Sequence, residues 1–259
     1  MKSKAKVKDY AICFVDILGY KNLLDELGEN EFLQIIENTF DKIEKDINFS
    51  IRTKRIHSEY IPLPSVEYHI FSDNILFFTE IDGLSQIEKE NYLAYLMSFI
   101  AETQNNLLRE GILLRGGLTV GKLYYKQGKY IYGSGLMRAY ELESTVANYP
   151  RIIIDPEIIA DFLYNNILNT TLVTLDYAAD FYFIDYFRCA LLASPDSDSP
   201  DDFQSNVLRN ISLVHVSDFP KKLEWVKQEA KKNSNNLSVS VKYRWLEKHL
   251  EEVIRAWVR

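Results

Sequence analysis

Short β-favouring segments alternate with helical segments along the first 155 residues, and this order limits the possible folds more than any other property of the chain. Apolar or β-branched residues fill the strand segments, whereas the helical segments repeat apolar residues every three or four positions. The pattern indicates a sheet covered by helices. The predicted strands lie at 10–15, 66–71, 75–81, 111–120, 123–125, 130–132 and 151–154, and the predicted helices begin near 20, 31, 85, 136 and 156.

The order of these segments predicts an α+β fold in which the helices pack on one face of the sheet. It resembles the ferredoxin-like βαββαβ arrangement more than a doubly wound parallel sheet. Hairpins are predicted at 72–74 and 127–128. The Ser-, Pro- and Asp-rich segment 194–206 predicts a solvated acidic loop, and two helices follow at 203–232 and 238–258.

Composition excludes several classes of function. Thirty Lys and Arg residues against 37 Asp and Glu give a net charge of −7, which argues against general binding to nucleic acid. Two cysteines, Cys13 and Cys189, cannot build a disulfide framework or a CxxC metal pair. No segment approaches the roughly 18 apolar residues needed to span a membrane. Because the N-terminal segment also lacks the apolar core of a signal peptide, we expect a reduced, cytoplasmic protein without a membrane partner.

Two carboxylates stand out by their position in this pattern. Asp16 directly follows the first apolar strand, and Asp73 lies at the tip of the first hairpin. Neighbouring strands lie about 4.8 Å apart, so both side chains can converge on one ion pair. Hard divalent cations bind through one or two carboxylates together with substrate phosphates. The alternative is structural, because Asp also caps helices and favours turns.

The segments around these carboxylates resemble the class III nucleotidyl cyclases. Four motifs occur in the order of that family across residues 8–155: FVDILGY at 14–20, FSDN at 71–74, RGGLTVG at 115–121 and YGSGLMRAYELE at 132–143. Two further segments are YPRI at 149–152 and FIDYF at 183–187. Together, these motif sequences are most similar to the pyrimidine (uridylate and cytidylate) cyclases of bacterial Pycsar anti-phage defence. The resemblance divides the chain into a catalytic core at 1–155 and a C-terminal extension at 156–259, packed on the core.

The resemblance implies a reaction in which the ribose 3′-hydroxyl attacks the α-phosphorus of a nucleoside triphosphate. Asp16 and Asp73, with Ile17 beside them, would hold two Mg²⁺ or Mn²⁺ ions. Backbone amides of the segment from Ile17 through Leu18 and Gly19 to Tyr20 would donate to phosphate oxygens at a helix start. Gly19 would let the backbone approach the phosphates closely. The family also implies a head-to-tail homodimer with composite active sites.

The sequence departs from the family at the transition-state residues. Met137 and Glu141 occupy the positions where many class III cyclases place Asn and Arg. Arg138 could substitute as a catalytic residue, and Arg115 and Arg151 could reach the phosphates. Arg115 is favoured as a phosphate or carboxylate partner because its guanidinium suits bidentate pairing.

The residues expected to read the base also differ from the family's adenine-specific set. His69 and Tyr130 replace the Lys and Asp that pair with adenine in adenylyl cyclases. A smaller pyrimidine fits a pocket narrowed by Tyr130, and the pattern favours UTP slightly over CTP.

These observations leave three functions open. The first is a pyrimidine nucleotide cyclase whose product signals to a separate effector protein. The second is a catalytically silent, cyclase-like module that binds a nucleotide or a partner. The third is a purine cyclase that makes cAMP or cGMP.

Overall fold

The computed structural model describes residues 6–53, 64–163, 172–176, 180–191 and 218–257. The acidic loop predicted at 194–206 lies outside these residues. The strands are β1 (Lys8–Leu18), β2 (Glu67–Phe71), β3 (Asn74–Glu80), β4 (Leu113–Lys126), β5 (Tyr130–Tyr132), β6 (Ile152–Ile154), β7 (Val173–Asp176) and β8 (Phe181–Ile184). The helices are α1 (Tyr20–Leu27), α2 (Glu29–Thr53), α3 (Gln86–Arg109), α4 (Ser134–Thr145), α5 (Pro156–Ile158), α6 (Tyr186–Leu191), α7 (Phe219–Lys232) and α8 (Leu237–Trp257). A π-helical turn, Ile159–Leu163, continues α5.

The sheet has the strand order β2-β3-β1-β4-β6-β8-β7, and β5 pairs with β4. Four strands lie side by side in the order β4-β1-β3-β2, and each is antiparallel to its neighbour. Helices connect β1 to β2 and β3 to β4. This is the ferredoxin-like βαββαβ arrangement. The prediction of an α+β fold with that core is confirmed. The segments predicted at 111–120 and 123–125 form one continuous strand, β4.

Helices cover both faces of the sheet, so the prediction of helices on one face is wrong. Ala11, Cys13 and Val15 of β1 belong to the core cluster that includes α2 and α3, whereas Ile12 and Phe14 belong to a second cluster with α4. Helix α4 fits this second face because β4 presents glycine to it. A Cβ atom at Gly117 would lie 2.4 Å from Leu142 Cβ, and one at Gly121 would lie 2.7 Å from Gly135 Cα.

Helix α3 is buried from Leu93 to Leu108 and is therefore not the amphipathic helix that the sequence suggests. The sheet covers one side of α3, and the C-terminal extension covers the other. Lys222 of α7 donates a 3.1 Å hydrogen bond to Asn105 Oδ1, and Asp218 pairs with Arg109 at 3.2 Å.

The C-terminal extension joins the core through both its strands and its last helix. Strand β8 pairs with β6, and β7 pairs with β8, so the extension continues the same sheet. On α8, Leu246 and Leu250 belong to the main core cluster. His249 Nε2 lies 3.1 Å from Oδ1 of the fully buried Asp185. Among the described residues, no helix is both long and apolar enough to cross a membrane.

Candidate active site

Asp16 lies inside β1, an interior strand of the sheet, one residue beyond the predicted strand end and two residues before the observed end at Leu18. It faces Asn74 of β3 on one side and Arg115 of β4 on the other. The alternation along β1 turns its side chain toward α4, on the same side as Phe14. The structural alternative, a helix cap, does not apply to Asp16, because Gly19 is the residue at the N-terminus of α1.

Asp73 lies beside Asp16 because of the tight turn between β2 and β3. The turn consists of Ser72 and Asp73, since Phe71 and Asn74 already pair with each other. The main-chain carbonyl of Asp73 accepts a 2.7 Å hydrogen bond from Ile17 N. Ser72 has a φ of 59°, an uncommon value for a residue other than glycine. This strained turn fixes Asp73 at the end of β1.

Arg115 is held between two carboxylates. Its Nε donates a 2.9 Å hydrogen bond to Asp16 Oδ2, and its Nη2 lies 2.8 Å from Glu143 Oε1 on α4. A weaker contact of 3.4 Å joins Nη1 to the carbonyl of Ala147. The Arg115 side chain as a whole is about one quarter exposed.

Glu143 is a third carboxylate at this place, and the sequence reasoning did not select it. Its side chain is 5% exposed, and burial raises its pKa above the usual value. Arg115 lowers that pKa, while Asp16 and Asp73 raise it. Its Oε1 makes the ion pair with Arg115 without satisfying hydrogen-bond geometry. Asp16, Asp73 and Glu143 therefore interact electrostatically in one acidic cluster.

The donor set fits Mg²⁺ or Mn²⁺ that arrives with a phosphate ligand. Within the described part of the chain, no group of three or more His, Cys, Asp or Glu residues has the geometry to hold a metal ion. Mg²⁺, however, is usually held by one or two carboxylates, with waters and substrate phosphates completing its shell. Asp16 and Asp73 are two carboxylates that could complete such a shell.

The segment after Asp16 leads directly into α1, as predicted, but its amides are not equivalent. Ile17 N is already used by Asp73 O, so it is not free to bind a phosphate, contrary to expectation. Leu18 is still in β1, and Tyr20 turns its ring into the core, edge-on to Phe32. Gly19 has a φ of 74°, and a Cβ atom there would meet nothing within 4 Å. The left-handed backbone explains the glycine, and the space beside it is open.

His69 and Tyr130 lie apart from the carboxylates. The His69 ring stacks on Phe78 at 5.7 Å, and its Nε2 lies 3.3 Å from the Tyr125 hydroxyl. Tyr130 pairs with Lys126, at the opposite end of β4 from Arg115. The predicted site residues thus form two groups within one chain: Asp16 and Asp73 with Arg115, and His69 with Tyr130.

Arg138 belongs to neither group, because it is engaged by a buried carboxylate. Its Nε and Nη2 donate to Asp155 Oδ2 and Oδ1 at 2.8 and 3.2 Å, and its Nη1 donates to Glu141 at 3.0 Å. Thr119 Oγ1 donates to the same Asp155 at 2.8 Å. The bidentate pair ties α4 to the end of β6.

The structure does not support phosphate binding by Arg151. This residue is 1% exposed and pairs with Asp176. Its guanidinium packs over the rings of Tyr149, Phe183 and Trp245 at 5.3, 5.6 and 5.3 Å. Arg151 therefore holds the extension against the core and is not accessible to a nucleotide.

No protein-family model matches the sequence, and no curated protein matches it. Solved structures with a similar backbone include the monomeric guanylyl cyclase domain of the RhoGC fusion protein from the aquatic fungus Blastocladiella emersonii. That match has 12% identity and a TM-score of 0.46, and covers 70% of this chain and 98% of the other. Another is the catalytic core of a rhodopsin-guanylyl cyclase with converted specificity, in complex with ATPαS. It has 14% identity and a TM-score of 0.43, and covers 69% of this chain and 97% of the other.

Proposed function

We propose that the protein is a nucleotide cyclase that converts a nucleoside triphosphate to its 3′,5′-cyclic monophosphate and pyrophosphate. The observation that carries this proposal is the convergence of Asp16 and Asp73, joined by the hydrogen bond from Ile17 N to Asp73 O, beside the guanidinium of Arg115. Two carboxylates, one on β1 and one in the β2–β3 turn, and a partly exposed arginine suit a metal-bound triphosphate.

In the proposed reaction, the ribose O3′ forms a bond to the α-phosphorus, and the bond from that phosphorus to the bridging oxygen breaks. Pyrophosphate leaves, and the 3′-hydroxyl proton passes to solvent. Divalent cations held by Asp16 and Asp73 would lower the pKa of the 3′-hydroxyl and neutralise the triphosphate. Arg115 stabilises negative charge that develops on the phosphate oxygens. The open space beside Gly19 admits a phosphate to the start of α1.

We propose a pyrimidine substrate, UTP before CTP. The His69 ring is fixed between Phe78 and the Tyr125 hydroxyl, so it offers a positioned polar edge to a small base. No Lys or Asp stands at positions 69 and 130 to pair with adenine. The motif resemblance further supports a role in anti-phage defence, in which a separate effector protein binds the cyclic product.

We also propose that the active site forms between two copies of the chain. One subunit would supply Asp16 and Asp73, and the other would supply His69 and Tyr130, which contact other residues in the same chain. Large apolar side chains of β5 and α4 are more than half exposed, and a second copy would cover them. These residues are Tyr130, Tyr132, Met137 and Tyr140.

The reaction is tested by incubating the purified chain with Mn²⁺ and ATP, GTP, CTP or UTP separately, with mass spectrometry of the products. We expect a cyclic pyrimidine nucleotide, lost in Asp16→Asn and Asp73→Asn and retained in Asp161→Asn, an exposed control. A cyclic purine would contradict the proposed base. Formation of product by both site variants would contradict the proposed site.

Dimerisation is tested by light scattering of wild type, Met137→Asp and the control Ile87→Asp. Both residues are exposed, at 74% and 69%, but Ile87 lies at the start of α3. We expect dimers that only Met137→Asp dissociates, with loss of turnover. An active monomeric wild type would contradict the composite site.

A second candidate function is a nucleotide-binding module without turnover. It is favoured by one observation: Met137 and Glu141 stand in place of the transition-state residues, and Asp155 holds Arg138. Binding of Mn²⁺–UTP by a folded dimer, without any cyclic product, is the result expected for this candidate.

A further inference from the structure

Helix α8 of the C-terminal extension is fixed beside the candidate active site by an aromatic stack. The Trp245 ring lies parallel to Tyr149, with a centroid distance of 5.6 Å and an interplanar angle of 6°. The Arg151 guanidinium packs against both rings. Ala147, two residues before Tyr149, accepts the 3.4 Å contact from Arg115 Nη1. One short loop therefore contacts both α8 and the guanidinium that pairs with Asp16.

Lys242 lies on α8 one turn before Trp245, on the side that carries this contact. It is half-buried, and Arg115 and Asp16 are the charged groups that act on it electrostatically. Burial and Arg115 lower its pKa, while Asp16 raises it. The last helix thus brings a second cation to the acidic cluster.

Lys242 is half-buried, yet it has no ion-pair or hydrogen-bond partner among the described residues. Within the described ranges, its ammonium makes no hydrogen bond and no ion pair, whereas Lys227 lies 2.9 Å from Glu251 and Lys232 lies 3.6 Å from Glu229. A half-buried charge without a partner is unfavourable unless an anion binds to it. An anion that binds beside Arg115 would therefore stabilise the Lys242 charge.

We propose that Lys242 is a further substrate-binding residue, whose ammonium contacts the polyphosphate of a nucleotide bound at Asp16 and Asp73. The inference rests on the proposed function. It assigns a role to the C-terminal extension: α8 supplies a cation to the polyphosphate end of the site, next to Arg115. Since the contact is with phosphate oxygens, it does not depend on the base.

The test compares wild type, Lys242→Met, Lys242→Arg and Lys248→Met. Lys248 lies on the same helix, with a side chain that is 79% exposed, and serves as the matched control. Binding of inorganic tripolyphosphate by the full-length chain is measured by calorimetry, and KM and kcat are measured with UTP and Mn²⁺. Thermal unfolding reports on folding.

We expect Lys242→Met to weaken tripolyphosphate binding and to raise KM by about ten- to a hundredfold, because one charge-assisted contact is lost. Lys242→Arg restores part of the affinity, and Lys248→Met matches wild type. The unfolding temperature of Lys242→Met stays equal to wild type or rises, because an unpaired half-buried charge is removed.

The outcomes separate this proposal from the cyclase itself. Suppose that wild type turns over and that Lys242→Met has the same KM and the same tripolyphosphate affinity as wild type. This result would overturn the role of Lys242 but would not contradict the cyclase. Tripolyphosphate binding that depends on Lys242, without turnover of any nucleotide, would support the anion site and contradict the cyclase. Failure of wild type to bind tripolyphosphate would overturn the role of Lys242.

Discussion

Arg115 and Asp16 face each other directly across the β1–β4 pairing, joined by a 2.9 Å hydrogen bond from Nε to Oδ2. The same guanidinium lies 2.8 Å from the buried Glu143. Its positive charge offsets the negative charges of Asp16 in the sheet and of Glu143 on α4. The pairing explains why an acidic residue can stand inside a central strand.

Replacing Arg115 with Ala should reduce both stability and activity. Asp16 and Glu143 would lose their shared counter-ion, at a cost of about 2 kcal/mol or more in the free energy of unfolding. In the proposed reaction the substitution would also remove the charge that stabilises the phosphate oxygens, so kcat should fall. Urea unfolding and initial rates measure the two effects, with Arg255→Ala, an exposed arginine, as control. Wild-type turnover by Arg115→Ala would exclude Arg115 from the reaction.

Replacing Glu143 with Gln should change how stability depends on pH. Burial, together with Asp16 and Asp73, outweighs Arg115 and raises the pKa of Glu143 above 4.5 in the folded state. The folded protein therefore binds this proton more tightly than the unfolded chain. The stabilisation is fully present below pH 4.5 and is lost as pH rises through the folded pKa.

The measurement is urea unfolding of wild type, Glu143→Gln and the exposed control Glu110→Gln, from below pH 4.5 to above the folded pKa of Glu143. Wild type and the control should lose stability with rising pH relative to Glu143→Gln, which cannot titrate at this position. Parallel curves for wild type and Glu143→Gln would show that burial of this carboxylate has no net effect.

Replacing Gly117 with Ala should displace α4 from the sheet. The new methyl group would lie 2.4 Å from Leu142 Cβ and 2.5 Å from the Ala139 carbonyl, and the helix backbone cannot yield as a flexible side chain would. We expect a loss of about 1–3 kcal/mol in stability together with reduced activity, because α4 carries Glu143.

Gly83→Ala is the comparison for Gly117→Ala. Gly83 has a φ of 77° and open space around its Cβ position, so the substitution strains only the local turn. It should lower stability by about 1 kcal/mol and leave kcat and KM unchanged. Equal activity in the two variants would mean that close packing of α4 is not required for the site.

Lys222 should make the protein more stable as pH rises from about 8 to 10.5. Burial, reinforced by Arg109, lowers its pKa from 10.5 to about 8, against the opposing effects of Asp218 and Glu102. Between these values the unfolded chain binds the proton and the folded protein does not, so the free energy of unfolding increases with pH. The increase amounts to about 3 kcal/mol at most.

Urea unfolding at several pH values compares wild type, Lys222→Met and Lys221→Met, an exposed neighbour on α7. The stability difference between wild type and Lys222→Met should shift in favour of wild type above pH 8, whereas Lys221→Met should follow wild type. A constant difference from pH 7 to 10.5 would refute the prediction.

The order of elements could be predicted because it depends on local patterns. Apolar runs and turn residues located β1, the β2–β3 hairpin and α4 to within a few residues. The sequence predicts that β1 ends at Val15, because Asp16 interrupts the apolar run, yet pairing with β3 and β4 continues the strand through Asp16. A charged residue inside a strand is tolerated when its partner stands opposite, and no local pattern reveals that partner.

Long-range contacts account for the other differences. The sequence predicts that Arg151 reaches the phosphates, but rings from positions 149, 183 and 245 enclose it. In the sequence, Glu143 is one residue of the motif at 132–143, and no local pattern places it near Asp16. Its position in the acidic cluster depends on how closely α4 approaches Gly117. The roles of Asp16, Asp73 and Arg138 in catalysis stay predictions, since they depend on a ligand and a second copy of the chain.

The two groups of site residues also differ in their place in the sheet. Asp16 lies on a strand with neighbours on both sides, whereas His69 lies on β2 at one end of the strand order and Tyr130 on the three-residue strand β5. Amide protons of β1 should exchange with solvent only when the whole domain unfolds, while those of β2 and β5 exchange through local opening. In the proposed enzyme, the residues that read the base can be substituted at small cost to folding. A lineage with this fold can therefore change the nucleotide it uses without rebuilding the strand on which the reaction takes place.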